Sequence, residues 1–290
     1  LDKEYSYEDS IKLVSKVFYE LDEEFGDILK GFVENGRIDV YPRNGKHSGA
    51  YCFHNLLSQP TYILLNHTGK LDDVDTIAHE VGHGINNELM RKRLNSLDFD
   101  SPLSTAEVAS TFMEDFVFRE LVKEADDEFK LVLLLKKVSD DVNTIIRQIA
   151  CYNFETELHK EFRKKGHLSG DEIGKIFVKN MSAYMGDFVE QSTGSENWWV
   201  FWPHIRDFFY VYSYSSGLLI SKAMQNKVNE DKSFVLKVKE FLSSGRHKSP
   251  KDIFSDLGID ITKKEFWDSG LSEIENLLSE CEELAKKLGK

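Results

Sequence analysis

Cysteine is scarce in this sequence, which has Cys52, Cys151 and Cys281 as its three cysteines among 290 residues. The three are widely spaced and form no CxxC pair, so the pattern predicts neither a disulfide framework nor a zinc site built from cysteine thiolates. We therefore expect three free thiols.

Excess positive charge is also missing. The formal net charge is -13 at pH 7, whereas a protein that binds nucleic acid or an anionic membrane needs a basic face. No apolar run reaches the roughly 20 residues of a membrane-spanning helix, and the residues from Leu1 to Tyr5 lack the basic and apolar regions of a signal peptide. We therefore expect a cytoplasmic protein with no nucleic-acid or membrane partner.

Apolar residues recur at helical spacing over most of the chain. This pattern predicts one or two helices over 6–35, and further helices over 72–90, 104–125, 127–165, 169–189, 198–229, 233–242 and 264–288. Short β-branched or aromatic runs at 38–41, 50–53 and 61–65 predict three strands. Hydrophobic residues make up 41% of the chain, and no low-complexity linker divides it. We predict one mostly α (α+β) domain over residues 1–290.

The stretch His79-Glu80-Val81-Gly82-His83 lies inside the predicted helix 72–90. Histidines four residues apart share a helix face, so both imidazoles can bind one zinc ion, while Glu80 points elsewhere and can act as a general base. Three fixed identities in five residues arise by chance in roughly 1 in 100 chains of this length or fewer. The motif predicts a metallopeptidase centre. A glycine inside a helix lowers stability by about 1 kcal/mol relative to alanine. Either Gly82 allows close packing beside the metal, or the helix simply tolerates this cost.

A catalytic zinc site needs a third protein ligand and an open fourth position. Our candidate is Glu107, which lies near the start of the next predicted helix beside the small residues Ala106 and Ala109. Helices joined by a short loop tend to pack antiparallel, which would bring Glu107 back to the histidines. Glu114, seven residues further on the same face, either orients a ligand imidazole or is simply solvated.

Aromatic residues crowd the stretch from Trp202 to Tyr214. Taken alone, this composition favours a buried core helix over a chemical role. Beside a metal centre, however, His204 and the nearby tyrosines could donate a hydrogen bond to the oxyanion that forms during amide hydrolysis.

Together these residues resemble the catalytic half of oligoendopeptidase F, a relative of thimet oligopeptidase. The resemblance runs in family order through 38–43, 48–51, 62–66, 71–74, 79–83, 106–112, 209–214, and Ser249-Pro250 with Asp252. It covers most of the chain and is far more specific than the zinc motif alone.

The resemblance implies a helical zincin-type catalytic domain with its small sheet beside the motif helix. It implies Zn²⁺ bound by His79, His83 and Glu107, with Glu80 as the base that activates water. It also implies that the substrates are short, unstructured oligopeptides, cut within the chain. Such a peptide could pair as an added strand with an edge of the sheet, for which 61–67 is our candidate.

The same resemblance assigns further roles. The transition-state donors map to His204 and Tyr212, with Tyr210 as a further candidate. The segment that would contact the substrate consists of Ser48, Gly49, Ala50 and Tyr51.

Two features depart from the family pattern. Ile205-Arg206-Asp207 follow His204 where the family often has aromatic residues, which leaves open which tyrosine is the donor. The family's large N-terminal helical lobe is absent, so we expect a fragment, a lobe supplied by a partner chain, or a more open site. We predict a zinc endopeptidase. The alternatives are a non-catalytic helical binding module, an inactive half that needs a separate lobe, and an exopeptidase.

Overall fold

A computed structural model describes residues 4–54 and 56–290 of the chain. The expectation that no signal peptide is present rests partly on residues 1–3, which lie outside the described residues. Within the described ranges, no helix combines the length and the apolar character that crossing a lipid bilayer requires.

The described residues form eleven α-helices and three short strands. The helices are α1 (Tyr7–Leu21), α2 (Glu23–Glu34), α3 (Leu71–Arg91), α4 (Val108–Glu124), α5 (Asp127–Val142), α6 (Gln148–Lys165), α7 (Gly170–Met185), α8 (Tyr212–Glu230), α9 (Val235–Leu242), α10 (Pro250–Asp256) and α11 (Lys264–Lys287). The strands are β1 (Ile38–Asp39), β2 (Tyr51–Phe53) and β3 (Tyr62–Leu64). This architecture confirms the predicted mostly helical fold with a small three-stranded sheet.

The predicted helix over 198–229 is wrong in its first part. Only α8, from Tyr212 onward, is α-helical, and the residues before it form short 3-10 turns at Ser195–Val200 and Pro203–Arg206. Proline lacks the N–H that an α-helix interior needs. In addition, Phe208 and Phe209 have positive φ angles of 36° and 59°, which an α-helix does not contain. Apolar spacing alone does not reveal such a break.

The sheet has the order β1-β3-β2, so β3 is its central strand. Ile63 of β3 stands opposite Ile38 in the parallel pair and opposite Cys52 in the antiparallel pair. The expectation that 61–67 is an edge strand is therefore wrong, because β3 is paired on both sides. The edge that lies against α3 is β2, and the Asn87 side-chain amide of α3 donates to Cys52 Sγ at 3.4 Å.

The main core contains buried residues of α1, α3, α4 and α8. Phe18, Val81 and Phe112 are fully buried within it. A second cluster, around Phe154 and Phe177, packs between α6, α7 and the turns that precede α8. Because α4 packs against both α3 and α8, residues of the three helices come together at the candidate site.

Candidate metal centre and its cleft

The helix that carries the histidines begins at a side-chain cap. Asp73, the third residue of the helix, accepts the backbone N–H of the N-cap residue Lys70 and that of Thr68 at 2.8 Å each, which fixes the chain as it enters the helix. From there α3 runs without interruption through the motif. The rings of His79 and His83 lie with their centroids 5.0 Å apart, on the face that looks toward α4.

Gly82 lets α4 approach this face. A Cβ atom on Gly82 would lie 2.8 Å from Ser110 Cα and 2.9 Å from the Ala109 carbonyl oxygen, closer than non-bonded carbon atoms approach. The structure therefore favours close packing over simple tolerance as the reason for a glycine inside this helix.

Glu107 stands at the N-cap position of α4 and points back at the histidines. Its Oε2 lies 3.4 Å from His79 Nε2 and 3.5 Å from His83 Nε2, and it accepts the Ser110 hydroxyl at 3.1 Å. On the far side, Gly217 of α8 leaves room for it, since a Cβ there would lie 2.8 Å from Glu107 Cβ. Three helices thus set the position of one carboxylate.

The three side chains fit a zinc ion. One ligand atom each from His79, His83 and Glu107 lie within 4.8 Å of one another. Tetrahedral zinc with bonds of about 2.0–2.2 Å separates its ligand atoms by about 3.3–3.6 Å. The His–Glu separations of 3.4 and 3.5 Å match that spacing, and they are longer than a good N–H···O hydrogen bond.

Glu114 faces the other nitrogen of His79, with Oε2 3.2 Å from Nδ1. Burial lowers the pKa of His79, but the carboxylates of Glu107 and Glu114 outweigh burial and raise it to about 10. Burial raises the pKa of Glu114, but the Lys137 charge and His79 hold it at about 2. Burial raises the pKa of Glu107, but the two neighbouring histidines outweigh burial, and the net effect lowers it. Two negative carboxylates therefore accompany the histidines, which favours a cation between them.

Glu80 is 7% exposed and lines the cleft beside the histidines. Burial raises its pKa above the usual range of a glutamate, although His79, His83 and the backbone N–H of Cys52 oppose the rise. A raised pKa suits a group that must accept a proton near neutral pH and release it again.

The cleft has a volume of about 700 Å³. The histidines, Glu80 and Glu107 line it, β2 borders one side, and the tyrosines that precede and begin α8 border another. Of the four predicted substrate-contact residues, Ala50 and Tyr51 line this cleft. Ser48 and Gly49 lie in the loop that leads into β2, where the Gly49 carbonyl accepts the Asn66 amide at 2.7 Å.

Among the described residues, the tyrosines that line the cleft around α8 are Tyr210 and Tyr214, and Tyr212 is not among them. Tyr212 is 40% exposed. His204 does not line the cleft either, but its Nε2 lies 2.9 Å from the Tyr214 hydroxyl. Burial, together with Tyr210 and Glu107, raises the pKa of Tyr214 well above its usual range, which keeps the hydroxyl protonated as a donor.

Tyr214 is not among the donors predicted from the sequence, although its spacing from Tyr210 points to it. Tyr210 and Tyr214 are four residues apart, which on the helix predicted over this stretch would place them on one face, although Tyr210 itself lies in the turn before α8. Their rings are in contact, with centroids 5.6 Å apart. The same spacing rule that identifies His79 and His83 therefore groups these two tyrosines.

A buried carboxylate supports the turn that leads into the tyrosines. Glu155 of α6 is fully buried, and its Oε1 accepts the backbone N–H of Phe209 at 2.7 Å. Phe208 and Phe209 both have positive φ, a conformation that costs free energy for bulky residues and needs support from its surroundings. The turn places Tyr210 at the wall of the cleft.

Comparison with known proteins agrees with this geometry. Residues 11–273 match the Peptidase family M3. The chain is 28% identical to an oligoendopeptidase F homolog of Lactococcus lactis over 99% of this chain and 48% of that protein. It is 29% identical to the oligopeptidase PepF of Bacillus subtilis over 98% and 42%. It spans about half the length of these curated relatives.

Solved structures show the same fold. A Chlamydophila abortus structure matches with a TM-score of 0.84 and 28% identity, over 97% of this chain and 48% of that one. The oligoendopeptidase-F of Enterococcus faecium matches with a TM-score of 0.69 and 20% identity, over 99% and 47%.

Proposed function

This chain belongs to peptidase family M3, and on that premise we propose that it is the catalytic half of a zinc-dependent endopeptidase that hydrolyses short, unstructured peptides. The observation that carries the proposal is the convergence of His79, His83 and Glu107, whose ligand atoms lie within 4.8 Å of one another. The neighbouring Glu80 lines the same cleft. In this proposal the three converging residues hold the zinc ion, which when bound supplies Lewis acidity toward a water molecule and a peptide carbonyl.

Proton transfer falls to Glu80. Its carboxylate accepts a proton from the attacking water as the new C–O bond forms, and it delivers that proton to the amine nitrogen as the C–N bond breaks. Its raised pKa supports this role, because a carboxylate that is too acidic would not accept the proton.

Tyr214 is our candidate for the oxyanion donor, with Tyr210 beside it. The Tyr214 hydroxyl gives its hydrogen bond to the carbonyl oxygen as negative charge develops there, which stabilises the transition state more than the ground state. The Nε2 atom of His204 lies 2.9 Å from the Tyr214 hydroxyl and helps to position it. In this scheme His204 acts through Tyr214 and does not contact the substrate.

The edge of β2 that borders the cleft is our candidate for the substrate backbone. β2 pairs with β3 on one side, and Ala50, Tyr51 and Cys52 line the cleft. An extended peptide can add to such an edge through main-chain hydrogen bonds, which accommodates many sequences but requires an unfolded substrate. That requirement supports oligopeptides as the substrate class.

Replacing Glu80 with Gln tests the proposal. We expect peptide hydrolysis to fall by about 10²–10⁴-fold, while the chain still binds one equivalent of zinc. Glu88→Gln is the matched control, since Glu88 lies on the same helix and pairs with Arg91. A quenched fluorescent peptide reports cleavage, and metal analysis reports zinc. Normal cleavage by Glu80→Gln would contradict the mechanism.

The same assay separates the alternatives. One equivalent of zinc with no cleavage by the 290-residue chain would favour a binding module or an inactive half that needs a separate lobe, which the half-length match makes a specific concern. Mass spectrometry of the products identifies an exopeptidase, because single residues or dipeptides would be released in place of internal fragments.

A further inference from the structure

A cluster of charged side chains lies buried behind His79, and the proposed reaction makes no use of it. Asp115, Lys137, Asp141 and Lys222 are each at most 6% exposed, and they come from α4, α5 and α8. Buried charges cost free energy unless they are paired. Replacing such pairs with apolar side chains is often neutral or stabilising, so stability alone is a weak reason for four of them in one place.

Lys137 connects this cluster to the metal centre. Its Nζ lies 3.4 Å from Asp141 Oδ1 and 3.5 Å from Glu114 Oε1. The second oxygen of Glu114, Oε2, faces His79 Nδ1 at 3.2 Å. The two oxygens of one carboxylate are thus engaged on opposite sides, one by a cation on α5 and the other by a candidate ligand on α3.

Lys222 is buried equally well but has different neighbours. Its Nζ lies 2.7 Å from Asp141 Oδ2 and 3.8 Å from Asp115 Oδ1. Within the described residues, its ion pairs are with these two aspartates and not with Glu114. Lys222 therefore shares the aspartates with Lys137, and only Lys137 also contacts Glu114.

We propose that Lys137 is a positioning residue: it holds Glu114 so that the carboxylate fixes the orientation of the His79 imidazole, with Nε2 directed at His83 and Glu107. The inference rests on the proposed zinc function. A carboxylate free to rotate allows several orientations of the imidazole, and a ligand that must be ordered on binding lowers metal affinity. The contact from Lys137 on α5 removes that freedom.

Two matched double variants test the proposal. Lys137→Met with Asp141→Asn and Lys222→Met with Asp141→Asn each remove one lysine and the same aspartate, so the buried charge stays balanced in both. Only the first loses the contact with Glu114. We expect the first to weaken zinc binding by roughly tenfold, at the low end of the effect of losing an outer partner of a metal ligand. The second should stay within about twofold of the unmodified chain.

Zinc affinity is measured on the 290-residue chain by competition with a chelating dye. Equal affinities of the two double variants would overturn the proposal, and so would a larger loss in the Lys222 variant. Unfolding midpoints of both variants are measured alongside, because a merely structural role predicts that affinity follows stability.

A second measurement needs no metal. ¹H–¹⁵N spectra of the zinc-free protein report whether the His79 Nδ1–H that faces Glu114 occupies one environment or several. We expect one sharp His79 Nδ1–H signal in the unmodified chain and the Lys222 variant, and a broadened or split signal in the Lys137 variant. An unchanged His79 signal would overturn the positioning role. A chain that binds no zinc would overturn the proposed function, while this spectrum would still decide the role of Lys137.

Discussion

Tyr212 and Tyr214 begin the same helix, yet they meet different surroundings. Tyr214 lines the cleft and contacts His204, whereas Tyr212 is 40% exposed. A hydroxyl can stabilise an oxyanion only from within hydrogen-bond distance of it. At the scale of single residues, the exposed side chain is therefore the weaker candidate, although the resemblance to the family points to it.

Exchanging each tyrosine for phenylalanine separates the two. We expect Tyr214→Phe to lower kcat by about 10²–10³-fold with little change in KM, because the hydrogen bond strengthens in the transition state. Tyr212→Phe is the control and should retain nearly all activity. Steady-state kinetics on a quenched peptide give both constants. The reverse result would assign the donor to Tyr212.

At the scale of elements, the metal centre depends on how closely α3 and α4 approach. Gly82 permits the contact with Ala109 and Ser110, and Gly217 of α8 permits the contact with Glu107. The candidate ligands come from two different helices, so a small separation of the helices would move Glu107 away from the histidines without altering any ligand.

Gly82→Ala tests this dependence. We expect the added methyl group to lower the free energy of unfolding by about 1–3 kcal/mol through overpacking and to weaken zinc binding. Gly31→Ala on α2 is the control, because nothing lies within 4 Å of a Cβ there and alanine favours a helix by about 1 kcal/mol. Urea unfolding of both variants gives the comparison. A Gly82→Ala protein as stable as the unmodified chain would show that the helices can separate at little cost.

At the scale of the whole molecule, buried ion pairs connect α4, α5 and α8. Burial raises the pKa of Asp115, but Lys222, Lys137 and Arg119 outweigh it, and the net effect lowers the pKa. Because the folded-state pKa lies below the unfolded value of about 3.9, ionised Asp115 stabilises the fold above about pH 4. That contribution is lost as the pH falls through the folded-state pKa.

Asp115→Asn should expose this dependence. Removing one partner of a buried pair costs about 3–5 kcal/mol, so we expect a loss of that size at pH 7. The difference from the unmodified chain should stay constant down to about pH 4 and shrink at lower pH, as folded Asp115 takes up a proton. Urea unfolding across this pH range measures it, with exposed Asp187→Asn as the control. A difference that does not change with pH would mean that the charge of Asp115 is not what stabilises the fold.

The sequence by itself determines those features of this protein that depend on the spacing of residues close together in the chain. Apolar residues at helical intervals predict the mostly helical fold because they record which face of a helix is buried, and short β-branched or aromatic runs predict the small sheet. The same rule groups His79 with His83, and their roles as ligands stay a prediction.

Only the tertiary structure decided the features that depend on distant residues. β3 became the central strand because β1 and β2, both earlier in the chain, pair on either side of it. Residues 198–211, the first part of the predicted helix over 198–229, form turns that Glu155 and the second core cluster support. Lys137 contacts Glu114 because α5 packs beside α4. Such contacts join side chains far apart in the chain, and local periodicity records burial but not the identity of the neighbour.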